Sequence, residues 1–297
     1  MGNITTAFVK QFGENVKLLS QQRGTKLSDC VENEMVIGEE WFTDQIGSVS
    51  PVPVKDRHSD SPILSTPHMR RRGTIEDFVW GDMIDKEDKV RMLIDPESKY
   101  VLNASYGMGR TKDDVIISAF DGVAYTGKKG TTPKALPSSQ KIDTDFVASG
   151  THTGLTYEKI LNARTIIEDN DVDTDDPMNE LFLLCSPLDI QNLLKQTEIK
   201  SADYNTVKAL AQGTIDQYMG FTFKKLSSKR ILKSSDGLDR RCIAWAKSGM
   251  AMGVANEVEA NVSKRADKNY NWYAHLKMTV GAVRLEEEKV VQVNCRA

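Results

Sequence analysis

Residues 122–129, Gly-Val-Ala-Tyr-Thr-Gly-Lys-Lys, bring a glycine pair and a lysine close to the pattern of a phosphate-cradling loop. Such a loop follows a strand and ends in a hydroxyl that holds magnesium. Here Lys129 stands where the hydroxyl belongs, and the preceding residues have helical periodicity. The strand candidate Leu181–Cys185 also lacks a terminal aspartate. A flexible basic loop is the better reading. Asp169, Asp171, Asp173, Asp175 and Glu180 fall at positions one, three, five, seven and twelve of a calcium-loop template. Thr174 replaces the turn glycine, Pro177 sits at position nine, and the following segment looks like a strand. Clustered carboxylates on a loop are more often simply solvated. Asp169, Asp171, Asp173 and Glu180 remain the candidate metal ligands.

The four histidines, His58, His68, His152 and His275, are dispersed and pair with no cysteine or carboxylate at ligand spacing. Neither a Ser-His-Asp order nor a G-x-S-x-G elbow is present. The expectation is a protein with no catalytic set and no cofactor. Arg70-Arg71-Arg72 reads as a nucleic-acid patch or as a dock for a carboxylate-rich neighbour. With 39 Lys and Arg against 42 Asp and Glu, the chain carries a net charge of −3, which favours the protein neighbour.

The elements around these residues are unusually long. Asp95 to Gly122 reads as one helix, with Asp95 as cap, Pro96 first and Asp121-Gly122 as the stop. It would span about 37 Å at 1.5 Å per residue. Val101, Ala104, Met108, Val115 and Ala119 share its apolar face. Gly107 and Gly109 imply a kink or a close-packed backbone. From Tyr270 to Ala282, apolar residues alternate with polar ones, predicting a strand of matching length, roughly 40 Å at about 3.3 Å per residue. Helix and strand predict an elongated two-layer slab.

Around this slab the chain projects outward. Phe8, Phe12, Val16 and Leu19 form a narrow helical stripe that must dock elsewhere. Residues 39–85 carry Pro51, Pro53, Pro62 and Pro67, which forbid helix and predict an extended hairpin, with a disordered linker as the alternative. Trp41, Phe42, Phe78 and Trp80 bracket it and would pin its base. After a loop over 123–150, helices near Tyr157–Ile167, Ser186–Asp189 and Tyr204–Gln212, with the strand Leu181–Cys185, predict an α/β unit separate from the slab. Ser186, Pro187 and Asp189 have capping-box spacing. The four cysteines, Cys30, Cys185, Cys242 and Cys295, lack C-x-x-C spacing and read as free thiols. No apolar run reaches the roughly 18 residues of a membrane span. Met1-Gly2-Asn3-Ile4-Thr5-Thr6 fits only a loose myristoylation pattern.

Arm, hairpin, long helix, α/β unit and returning strand, in that order, resemble the major capsid proteins of tailed bacteriophages. The most specific strings are Gly281-Ala282-Val283-Arg284-Leu285 with Val290-Val291-Gln292-Val293, Asp113-Asp114-Val115-Ile116-Ile117, and Phe8 to Leu27. The resemblance implies an α+β Hong Kong 97-like capsid fold. Its N-arm would be 1–38, its extended E-loop 39–85, its P-domain with the spine helix 86–129, its A-domain 130–243, and its return to the P-domain 244–297. It further implies hexamers and pentamers in an icosahedral shell around double-stranded DNA, and a virion protein assembled in the host cytoplasm. Phe8, Phe12, Arg70, Arg71 and Arg72 are then the candidate inter-subunit contacts. Met1 leads directly into the arm, so a separate scaffolding protein is expected, together with a portal, with room for a decoration protein. Lys55 is the only lysine in the heart of the projecting loop, and nothing identifies a partner for covalent cross-linking. An encapsulin-like compartment shares the fold. The rival from another class is a calcium- or nucleotide-dependent enzyme built around Asp169 to Glu180.

Overall fold

The computed structural model describes residues 21–53, 63–84, 96–195, 217–234 and 237–296. The arm stripe Phe8 to Leu19, the hairpin tip with Lys55 and His58, the Asp95 cap and the helix expected over Tyr204–Gln212 lie outside them. The long helix is α1 (Pro96–Asp121), and the long strand is β13 (Asn271–Arg284). Ala104 and Met108 of α1 pack on Leu276, Met278 and Val280, the inward side of the alternation. Tyr270 falls outside this apolar face and is exposed. β13 sits in a four-stranded sheet ordered β1 (Glu32–Met35), β12 (Met250–Arg265), β13, β4 (Glu76–Ile84). Residues 76–84 therefore leave the hairpin and pair antiparallel with Trp272 to Val280.

The hairpin itself is β2 (Glu40–Ile46) against β3 (His68–Thr74), and β3 continues through β5 (Ala124–Thr126) to β6 (Thr132–Lys134). The Gly47 amide donates to the Pro67 carbonyl at 2.9 Å, carrying the pairing one step beyond the strands. The near-phosphate-loop sequence is thus a tight β-turn, closed by the Gly130 amide on the Gly127 carbonyl at 2.8 Å.

A third, six-stranded sheet runs β7 (Lys141–Ile142), β14 (Val290–Arg296), β11 (Asp239–Ala246), β8 (Leu181–Cys185), β10 (Phe221–Lys225), β9 (Gln217–Tyr218). Helices α2 (Tyr157–Asp169) and α3 (Pro187–Lys195) cover one face, burying Ile160, Ile167, Ile190 and Leu193 against Leu181, Leu183 and Cys185. The other face buries Phe182, Leu184 and Trp245 against Ile116, Ile117 and Phe120 of α1. The expected separation of this unit from the long helix is therefore corrected. All five side chains of β8 are buried, and a strand apolar on both faces needs cover on both. The sheet also takes β14, so residues 244–296 divide between two sheets.

Candidate assembly interface

A projecting hairpin keeps its aim only if its root is fixed. Here Trp41, buried on β2, lies over Gly73 of the partner strand and against Gly253 of β12. A Cβ at Gly253 would sit 2.8 Å from the Trp41 ring, so a side chain there would displace it. Phe42, by contrast, is half-exposed beneath Arg70, and Phe78 and Trp80 face α1. Gly281 is equally constrained, because a Cβ would collide with the Thr74 carbonyl where the hairpin leaves the body.

The arginine run divides three ways. Arg70 pairs across the hairpin with Asp44, which holds that exposed carboxyl below its ordinary range. Arg72 reaches Glu40 at 3.3 Å and the Gly130 carbonyl at 3.2 Å, with its guanidinium over Tyr125. Arg71 turns inward and is buried, donating to the Leu285 carbonyl at 2.7 Å and to the Glu287 carboxylate. The expectation that all three arginines greet a neighbour is corrected for Arg71. Strand alternation points it, unlike Arg70 and Arg72, at the body.

Glu287 is the hub of this root. Lys134 reaches it at 2.6 Å and Arg284 at 3.4 Å. Burial opposes its charge, but Lys134 and Arg71 outweigh that and hold its carboxyl below the usual range. Arg284, fully buried, also donates to the carbonyls of Phe120 (2.6 Å), Gly122 (3.0 Å) and Lys134 (3.1 Å). One cluster thus ties together the hairpin, the end of α1, strand β6 and the β13–β14 connection.

The root of the arm is held differently. Asp113, buried on α1, accepts from the amides of Lys26 (3.0 Å) and Leu27 (3.1 Å), from Thr25 Oγ1 (2.6 Å) and from Gln22 Nε2 (2.5 Å). Gly109 explains itself here, since a Cβ would lie 2.6 Å from the Gly24 carbonyl carbon. Close backbone packing, rather than a kink, is what this glycine serves. Asp113, Arg284 and Glu287 went unnoticed as interacting groups in the sequence. Asp113 and Arg284 each place a charge on an otherwise apolar face of α1 and β13, whereas Glu287, one of three consecutive glutamates in the β13–β14 connection, carries no such signal.

Away from both roots, apolar side chains stand in solvent. Ile46, Val49, Val52, Ile63 and Leu64 line the hairpin, with Ile63 99% exposed, and Met35 and Ile37 are as open beside β1.

The acidic loop does not gather into a site. The Asp173 carboxylate accepts its neighbour's Asp175 amide, Asp176 caps the turn at Met178, and Glu180 meets Thr222. Among the described residues, the one group of metal-type side chains in mutual reach is Asp189, Cys242 and Cys295. Asp189 is already engaged by Arg240 at 2.7 Å and closes the capping box with Ser186 at 2.6 Å. The contact with Cys295, together with burial, pushes the Cys242 thiol well up and keeps it protonated. His152 bonds Thr144, and His275 stacks near Tyr273. No helix among the described residues is long and apolar enough to cross a membrane.

Comparison with solved structures finds the same architecture in phage shells. The chain is similar to the cyanophage Pam1 capsid asymmetric unit at 13% identity and TM-score 0.72, covering 99% of this chain and 98% of that one. The capsid of Ralstonia phage GP4 matches at 9% identity and TM-score 0.72, covering 97% and 98%. The capsid structure of cyanophage P-SCSP1u matches at 14% identity and TM-score 0.71, covering 96% and 92%. Comparison with curated protein sequences returns no match. The fold is thus the α+β Hong Kong 97-like capsid fold. A family model described as phage capsid protein matches residues 4–297, and the chain belongs to that family.

Proposed function

We propose that this chain is the major coat subunit of a tailed phage, forming hexamers and pentamers that close an icosahedral shell around double-stranded DNA. The observation that carries this is the pairing of firmly rooted projections with exposed apolar side chains that find no cover among the described residues of their own subunit. Residues 1–38 serve as N-arm and 39–85 as E-loop, 86–129 and 244–297 build the P-domain, and 130–243 build the A-domain. Phe8, Phe12, Arg70 and Arg72 are the contact residues toward neighbouring copies, and Arg71 holds the hairpin root. Many modest contacts per subunit make such a shell stable through multiplicity. The net charge of −3 suits a container that holds DNA without sequence-specific binding. A scaffolding protein and a portal are the assembly partners, with a decoration protein optional. The work is structural rather than catalytic, and assembly takes place in the host cytoplasm before the subunit becomes part of the virion.

Negative-stain microscopy and sedimentation velocity of the full chain, alone and co-expressed with scaffold, test this. Uniform closed particles are expected. A folded monomer under all conditions overturns it. Cargo protein in place of nucleic acid inside virion-derived shells would favour the encapsulin-like compartment.

A further inference from the structure

Between α1 and β4 lies an open groove of about 470 Å³. Phe78, Trp80, Ala104 and Met108 form its apolar side, and Asn103, Arg110 and Arg230 edge it. Gly107 opens onto it, and a Cβ there would meet nothing closer than an Arg110 nitrogen at 3.7 Å. A glycine inside a helix is unfavourable without compensation. Two residues on, Gly109 has that compensation, since the arm backbone lies on it. Gly107 has none within the described residues.

The arm root also gives a direction. Leu27 and Lys26 sit on Asp113, Gly24 on Gly109, and Gln21 on Asn103 at 2.7 Å and Arg110 at 2.7 Å. The arm root therefore runs parallel to α1, and followed towards its N-terminus it reaches the groove edge at Gln21, with residues 1–20 preceding it. Leu19 is two residues from Gln21, within about 7 Å even when fully extended. The stripe Phe8, Phe12, Val16, Leu19 is the apolar match to the groove floor.

We propose that the groove seats the chain's own residues 16–19. Val16 and Leu19 cover Gly107 and the Trp80 side, leaving Phe12 and Phe8, about one and two helical turns further out, for a neighbouring copy. The tether sets a high local concentration, so the occupant is the chain itself. The seat concerns the single subunit and holds whether or not shells form.

The four native cysteines are buried, so a bimane label on Val16→Cys in the full chain reports one surface site. Tryptophan quenches bimane on contact. In dilute subunit, Trp80→Phe is expected to raise emission several-fold. Gly107→Leu, which fills the groove and leaves Trp80 in place, is expected to do the same, while Phe12→Ser leaves emission unchanged. Quenching that is indifferent to both Trp80→Phe and Gly107→Leu overturns the proposal. So does quenching that a large excess of unlabelled subunit relieves, because that places the arm on a neighbour. Closed shells with an unquenched label would separate this failure from failure of the capsid reading.

Discussion

At the residue scale the decisive group is Glu287, one buried carboxylate facing Arg71, Arg284 and Lys134. Glu287→Gln keeps the shape and removes the charge, leaving two buried guanidinium groups without their counter-ion. Breaking a buried ion pair from one side costs about 3–5 kcal/mol, the loss expected in urea unfolding of the subunit. The same carboxylate sets an acid limit. Its folded-state pKa lies below the unfolded value of 4.5, so its contribution is complete above pH 4.5 and disappears as pH falls through the folded value. Unfolding midpoints recorded from pH 7 to pH 3 should fall more steeply in the wild type than in Glu287→Gln. Parallel curves would remove Glu287 from its role as hub.

At the element scale, α1 joins two cores and also holds the arm. Asp113→Ala strips the acceptor from the Lys26 and Leu27 amides without opening the apolar contacts at Ile116, Ile117 and Phe120. Hydrogen exchange should accelerate at Lys26 and Leu27, and proteolysis should appear at Arg23 and Lys26, with α1 amides near Phe120 still protected. Uniform loss of protection would mean that the arm root supports the whole fold. Period made α1 and β13 legible, because one face of each is apolar over many residues, as at Ala104 and Met108 on α1 and Ala274, Leu276 and Met278 on β13. The later part of α1 was less so. Ile116, Ile117 and Phe120 widen the buried arc beyond a single stripe, since the helix end is enclosed by the six-stranded sheet as well as by β13. Pairing of β4 with β13 is set by residues some two hundred positions apart, a relation that local pattern does not carry. The same distance hid the candidate site. Arg71 and Glu287 each look like a surface charge until the fold brings them together.

At the scale of the whole molecule, apolar side chains on the projections stand exposed, uncovered among the described residues. Ile63 and Leu64 lie beyond the last hairpin pairing among the described residues, and both are exposed. Solvent-facing substitutions away from structural features change stability by no more than about 0.5 kcal/mol, so Ile63→Asp with Leu64→Asp should leave the subunit's unfolding curve in place. Assembly is another matter. An apolar contact repeated at every subunit of a closed shell multiplies a small loss, and two carboxylates introduced into it must each be desolvated or excluded. The double variant should therefore fold normally, remain as small species in sedimentation velocity and give no closed particles by electron microscopy, even with scaffold present. Wild-type particles from that variant would show that the shell is fastened elsewhere, leaving the arm and the exposed residues beside β1 as the surfaces that must do it.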